Sequence, residues 1–410
     1  VSEGGPAPDP GAAAAPPGRK PLRRRLAGYA LNVAVLVGVL FLTLGAAELL
    51  VRWLAPQQLI QIRPDIWQPA DSLGWVNRPM VRTTINTGER TVSLFTDSLG
   101  LRVGAAGRRD APTRVLLIGD SFMQALQVEH EQSTAALLED TLTRRLGRPV
   151  SVWNAAVDGW DPPQYLIRSR QLLDRHAFDL VIVALYLGND VIERRIQRLP
   201  PRQPAERHRF RVRSLRWADL VDGVFYPIND VLEVRSHLYM LAKNGLRPIL
   251  IMIGLTAEYF PDGLRRREAL SPRWDVTADY CLAIARAAAA RGAEALFVLL
   301  PEPYAVDSSA LRELRRGFGV DSADVDVDQP TRLMGEALAR RGIEALSVAD
   351  SFRAAAAGGL RLYGRVDRHL TAQGHAALAR LVAPAATAAV GSAKAASPDR
   401  GPATRGRTAR

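Results

Sequence analysis

The longest apolar run lies near the start of the chain, where Leu26 to Ala47 give 22 positions without a charge. At about 1.5 Å per residue, a helix of that length spans the ~30 Å hydrocarbon core of a bilayer. Glu48 and Arg52 follow four apart, a spacing that puts them on one helical face where they can pair. Beyond residue 110 short apolar runs alternate with amphipathic ones. Thr113–Ile118, Val150–Asn154, Leu180–Tyr186, Ala293–Leu300 and Glu344–Val348 read as five buried strands. Thr134–Leu146, Pro163–His176, Ala278–Arg291, Thr331–Arg341 and Thr371–Ala388 have helical spacing, and Gly147 and Gly292 end two of them. Strands alternating with helices predict an α/β fold, its parallel sheet covered on both faces.

The remaining segments are less regular. Residues 53–110 contain short alternating pieces such as Arg90-Thr91-Val92-Ser93-Leu94-Phe95, which suggest small β elements, with Gly74 and Gly100 marking turns. Residues 191–272 interrupt the strand–helix repeat. Their run Pro248–Leu255 is too short to span a membrane and reads as a piece of ordinary core rather than a lid. Both ends are poor in large apolar side chains and cannot support a core. The expected organisation is a basic tail (1–25), a transmembrane anchor (26–51) and a β-containing juxtamembrane segment (52–110). A catalytic domain (111–390) with an insertion at about 191–272 follows, then a second basic tail (391–410).

Arg19, Lys20, Arg23, Arg24 and Arg25 precede the apolar run. By the positive-inside rule the N-terminus is cytoplasmic and everything after residue 52 lies outside, which for a bacterial chain means anchorage in the inner membrane. A cleaved signal peptide is the rival reading, but its apolar region is ordinarily only ~7–15 residues long. The net charge of +12 sits largely in the tails and in Arg194–Arg216, where nine arginines face one acid, Glu206. That segment reads as a solvated loop or as a contact for anionic lipid or anionic glycan. No nucleic-acid module accompanies it, so a nucleic-acid partner is not expected. The single cysteine, Cys281, excludes an intrachain disulfide and reads as a buried structural thiol. No Cys/His cluster has zinc spacing, and no cofactor is expected.

The candidate chemistry begins where the first strand breaks into Gly119-Asp120-Ser121. A serine there stands at the carboxyl end of a parallel sheet, the edge at which open α/β folds bind ligands. Serine needs a base, an orienting carboxylate and donors aimed at the developing oxyanion. Asp367 and His369 follow the fifth strand and supply the first two. The backbone N–H of Ser121, that of Gly159 in Asn154-Ala155-Ala156-Val157-Asp158-Gly159, and the Asn189 carboxamide in Gly188-Asn189-Asp190 are candidate donors. All follow predicted strands and so converge on one edge. Asp120 reads as a shaper of the turn, and His375 as a packing residue of the closing helix.

These four blocks resemble the SGNH hydrolases, also called the GDSL esterase/lipase superfamily. They match at Ser121 in Gly-Asp-Ser-Phe, Gly159, Asn189 in Gly-Asn-Asp, and His369 in Asp-Arg-His-Leu-Thr-Ala-Gln-Gly-His, over residues 113–388. The resemblance implies a flavodoxin-like α/β/α sandwich of about five parallel strands, preceded here by one transmembrane helix. It also implies a Ser121–His369–Asp367 triad. Many members place the acid three residues before the histidine; here the spacing is two, as in polysaccharide-modifying members including alginate acetyltransferase-like ones. The expected activity is hydrolysis of acyl or acetyl esters on cell-envelope carbohydrate. Transfer of the acyl group to an exopolysaccharide hydroxyl, or a non-catalytic role in binding and assembling glycan, are the alternatives.

Overall fold

The structure is a computed structural model that describes residues 22–55, 57, 59, 63, 65–87, 90–192, 228, 231–232, 235–252, 260–266, 270–364 and 368–395. It divides into two compact units, Val1–Leu54 and Ala55–Arg410. In the first, helix α1 (Leu22–Leu54) includes the stretch Tyr29–Leu54, which is long and apolar enough to cross a membrane, with a mean hydropathy of 2.4. The expected Glu48–Arg52 pair forms, Arg52 Nε donating to Glu48 Oε1 at 2.7 Å.

The second unit is built on one sheet. Its central strands are β6 (Thr113–Ile118), β7 (Val150–Asn154), β8 (Leu180–Tyr186), β9 (Glu294–Leu300) and β10 (Ala345–Ser347). They run parallel in the spatial order β10-β9-β8-β6-β7, with Val115 level with Val152 on one side and Leu180 on the other. β6 is buried on both faces, which is why its sequence is a continuous apolar run. Leu116 and Ile118 join one core with Val181 and Val183, against Tyr165, Leu172, Ala278, Cys281 and Met334. Val115 and Leu117 join the opposite core with Ile182 and Ala184, against Leu138, Leu142, Phe352, Leu378 and Val382. The helices of the first face are α4 (Pro162–Leu173), α6 (Arg273–Ala289) and α9 (Gln329–Ala339). Those of the second are α3 (Thr134–Leu146), α10 (Ala349–Ala357) and α11 (Ala372–Ala395). The result is a three-layer α/β/α sandwich.

Local signals fix these helices. Ser133 caps α3 by accepting from the Ala136 N–H at 3.3 Å, and Gly147, at φ +62°, closes it in the left-handed region that glycine adopts without steric cost. Asp161 and Gln164 form a reciprocal capping box at the start of α4. Short α7 (Pro303–Val306), α8 (Ser308–Phe318) and α5 (His237–Met252) were not marked by the strand–helix rhythm of the sequence. The run Pro248–Leu255 is helical as far as Met252. Arg194–Arg216 lies outside the described residues.

The sheet does not stop at β7. Upstream strands β3 (Arg82–Asn86), β4 (Thr91–Thr96) and β5 (Arg102–Val103) continue it antiparallel, β5 pairing with β7 through Arg102 and Asn154. A separate hairpin, β1 (Trp67–Ala70) and β2 (Gly74–Asn77), adds Trp67 and Trp75 to the first core.

Candidate active site

β6 lies between the next two strands of the chain, β7 on one side and β8 on the other. The chain reverses its direction of travel across the sheet there, and the crevice at such a switch point is where α/β folds take ligands. Gly119 begins the turn. A Cβ at this position would lie 2.7 Å from Met123 Cγ and 3.4 Å from the Ala184 carbonyl, so the close approach requires glycine. Asp120 then caps the one-turn helix α2 (Ser121–Gln124), its Oδ1 accepting from the Phe122 N–H at 2.9 Å. Ser121 is the first residue of that helix and is 6% exposed.

His369 reaches Ser121 across the fold, Nε2 to Oγ at 2.8 Å. It follows Arg368, a non-glycine residue held at φ +60°, and precedes α11. The Phe122 ring lies 4.6 Å from the imidazole and stacks on Tyr186 at 3.9 Å. Tyr363 meets Phe122 edge-on at 6.3 Å, and its hydroxyl donates to the Pro301 carbonyl at 2.6 Å. The half-buried pair thus rests against an aromatic wall. Asp367, expected as the orienting acid, lies outside the described residues.

The second block is laced to the turn bearing Ser121. Asn154 Nδ2 donates to the Met123 carbonyl at 2.8 Å, and the Val157 N–H donates to the Gly119 carbonyl at 3.3 Å. Gly159, two residues on, sits at φ +74° and so occupies backbone space that L side chains rarely enter. The Asn189 side chain faces the Asp120 carboxylate and favours its charged form. Burial works against this and dominates: with Asp158 nearby, it pushes the Asp120 carboxyl up to about 7. Asp190 is fully buried and accepts from the Tyr165 hydroxyl at 2.9 and 3.0 Å and from the Tyr186 N–H at 2.7 Å. Burial, then the Asp120 charge, hold its carboxyl well above the ordinary range. Asn189 is therefore presented by a turn whose next residue is fastened inside the core.

Sequence reasoning passed over Glu302. It stands two residues beyond β9, is 4% exposed, and is pushed by burial up to about 8. The sequence marks it only as an acid flanked by Pro301 and Pro303 after a sheet strand, which reads as a loop residue. His375 packs as expected. Its Nδ1 accepts from the Thr134 N–H at 3.3 Å and lies 2.8 Å from Thr134 Oγ1, and burial lowers it to about 3, so it is neutral. The Cys281 thiol is buried and pushed up by that burial, which leaves it inert as a nucleophile.

The chain is 37% identical over 75 residues to an arylesterase of Vibrio mimicus. That match covers 18% of this chain and spans 37% of the curated relative's length. The chain resembles the SGNH, or G-D-S-L, esterases. Among solved structures, an acetyl xylan esterase, AlAXEase, is 12% identical and aligns over 66% of this chain and 98% of its own, with a TM-score of 0.37. A member of the lipolytic protein G-D-S-L family from Veillonella parvula is 10% identical over 66% of this chain and 96% of its own, with a TM-score of 0.34. No protein-family model matches the chain.

Proposed function

We propose that this chain is a serine ester hydrolase of the SGNH type. The observation that carries the reading is the 2.8 Å contact between His369 Nε2 and Ser121 Oγ at the switch point of the sheet. In that geometry the imidazole takes the hydroxyl proton as Oγ attacks the ester carbonyl carbon. Negative charge develops on the carbonyl oxygen and is met by the Ser121 N–H, the Gly159 N–H and the Asn189 carboxamide. The tetrahedral intermediate collapses to an acyl-Ser121 ester, and His369 returns the proton to the departing alcohol. Water repeats the sequence and frees the acid. Asp367 orients the imidazole.

The substrate in this reading is an acylated, chiefly acetylated, carbohydrate of the cell envelope. Helix α1 anchors the chain in the bacterial cytoplasmic membrane with its N-terminus in the cytoplasm, and this topology delivers the catalytic unit to that substrate. The arginines of Arg194–Arg216 bring it close to anionic lipid or glycan. The test is hydrolysis of p-nitrophenyl acetate and of acetylated oligosaccharides by the full chain in detergent micelles, beside Ser121→Ala. Release of acetate that falls at least about 1,000-fold in the variant is expected. Equal rates in the two proteins would overturn the assignment.

A further inference from the structure

The Asp158 backbone is held on both sides by side chains that take no part in the reaction. Gln124, fully buried at the last position of α2, accepts from the Asp158 N–H through Oε1 at 2.6 Å. Its Nε2 donates to Asn77 Oδ1 at 2.7 Å, and Asn77 Nδ2 donates to the Gly100 carbonyl at 3.2 Å. From the other side, Trp75 Nε1 donates to the Asp158 carbonyl at 2.9 Å. Trp75 is itself tied down, because Trp160 Nε1 donates to its carbonyl at 2.9 Å.

One plane links these bonds to the reaction. The Asp158 carbonyl and the Gly159 N–H belong to the same peptide group. That group is trans, the described chain having no cis peptide bonds. In a trans peptide the C=O and N–H are coplanar and point in opposite directions. A donor that fixes the Asp158 oxygen therefore fixes the direction of the Gly159 hydrogen. Gly159 has no Cβ to restrict this peptide's orientation, so hydrogen bonds to the peptide have to set it.

We propose that Trp75 is a positioning residue for ester hydrolysis: its indole N–H pins the Asp158–Gly159 peptide and aims the Gly159 N–H at the oxyanion, with Gln124 bracing the same loop from the nucleophile helix. The inference rests on the reading of Gly159 as an oxyanion donor. It makes the hairpin upstream of all four motif blocks a working part of the site.

The test is Trp75→Phe in the full chain in detergent micelles, with Trp67→Phe as its control. Trp67 lies in the same hairpin and is equally buried, at 3% exposed, so the control loses the same ring area. Complete loss of an oxyanion donor costs about 100–1,000-fold, so a misaimed one is expected to lower kcat by about 10–100-fold. KM should stay within about twofold, and the pH profile should keep its shape. Inactivation by a fluorophosphonate, which also builds negative charge on an oxygen in that hole, should slow in parallel. Trp67→Phe, whose buried indole N–H has no hydrogen-bond partner to lose, should leave kcat unchanged and cost no more thermal stability than Trp75→Phe. Gln124→Met applies the same test from the other side and replaces Trp75→Phe if that variant does not fold. If kcat falls only with the folded fraction, or no more than in Trp67→Phe, the positioning role is overturned while the esterase reading stands. A parent protein that neither cleaves ester nor takes the phosphonate on Ser121 overturns both.

Discussion

Glu302→Gln separates the cost of a buried carboxylate from every other feature near the site. The substitution keeps the shape of the side chain and removes its charge. In the folded chain burial pushes this carboxyl up to about 8, against an ordinary value of 4.5. Between those two values the folded protein holds a proton that the unfolded chain has released. Stability from this group is therefore fully present below pH 4.5 and is lost as pH rises through about 8. At about 1.4 kcal/mol per unit, the gap sets an upper limit of roughly 5 kcal/mol, and local relaxation and water entry reduce the expectation to about 2–3 kcal/mol. Glutamine is neutral throughout but buries an amide N–H at a cost of about 1 kcal/mol. In a unit of this size about 1 kcal/mol moves Tm by ~2 °C. The variant should melt about 2 °C below the parent at pH 5 and about 2–4 °C above it at pH 9. Scanning calorimetry of the full chain in detergent, at half-unit steps of pH, reads this crossing directly. A constant offset from pH 5 to 9 would refute the reasoning, because it would mean that Glu302 has the same proton affinity in the folded and unfolded chains.

Two further outcomes follow from buried groups. Arg102, 1% exposed, donates to the carbonyls of Gln124, Ala125 and Val128 and so fastens the chain just after α2. Arg102→Met leaves three buried acceptors without that donor, and a loss of about 3–5 kcal/mol is expected, or ~6–10 °C in Tm; a change under about 2 °C would contradict the bonding. The Cys281 thiol, buried against α6's neighbours, should not react with a thiol-exchange reagent in the folded chain and should react stoichiometrically in denaturant. Prompt labelling without denaturant would show that this core opens.

The parallel core was legible because its strands are buried on both faces. Thr113–Ile118, Val150–Asn154 and Leu180–Tyr186 stand where their apolar runs placed them, since no other use of such short runs hides them so well. The motif blocks at strand ends located Ser121 and His369, which meet, and the positive φ of Gly159 explains why glycine stands there. The upstream segment was legible only as small β elements. Its longest strand, β4, alternates buried with half-buried or exposed positions, and nothing in that alternation says which sheet it joins. The bonds from Trp75 and Gln124 to Asp158 were invisible for a related reason: a tryptophan or glutamine inside a short buried element reads as packing until its partner is known. Glu302 was missed because a lone acid between prolines looks like a loop residue, and only burial distinguishes it.

The contact that joins Ser121 to His369 spans 248 residues of chain. Closing so long a loop is entropically costly before the intervening sheet exists, and contacts of such separation form late in folding. Ser121 and the Gly159 loop follow adjacent strands β6 and β7, whereas His369 comes in from just before α11, so the early strands alone do not carry the pair. The Ser121–His369 pair is therefore assembled only with the completed fold, and a chain still in the course of synthesis carries Ser121 without its imidazole partner.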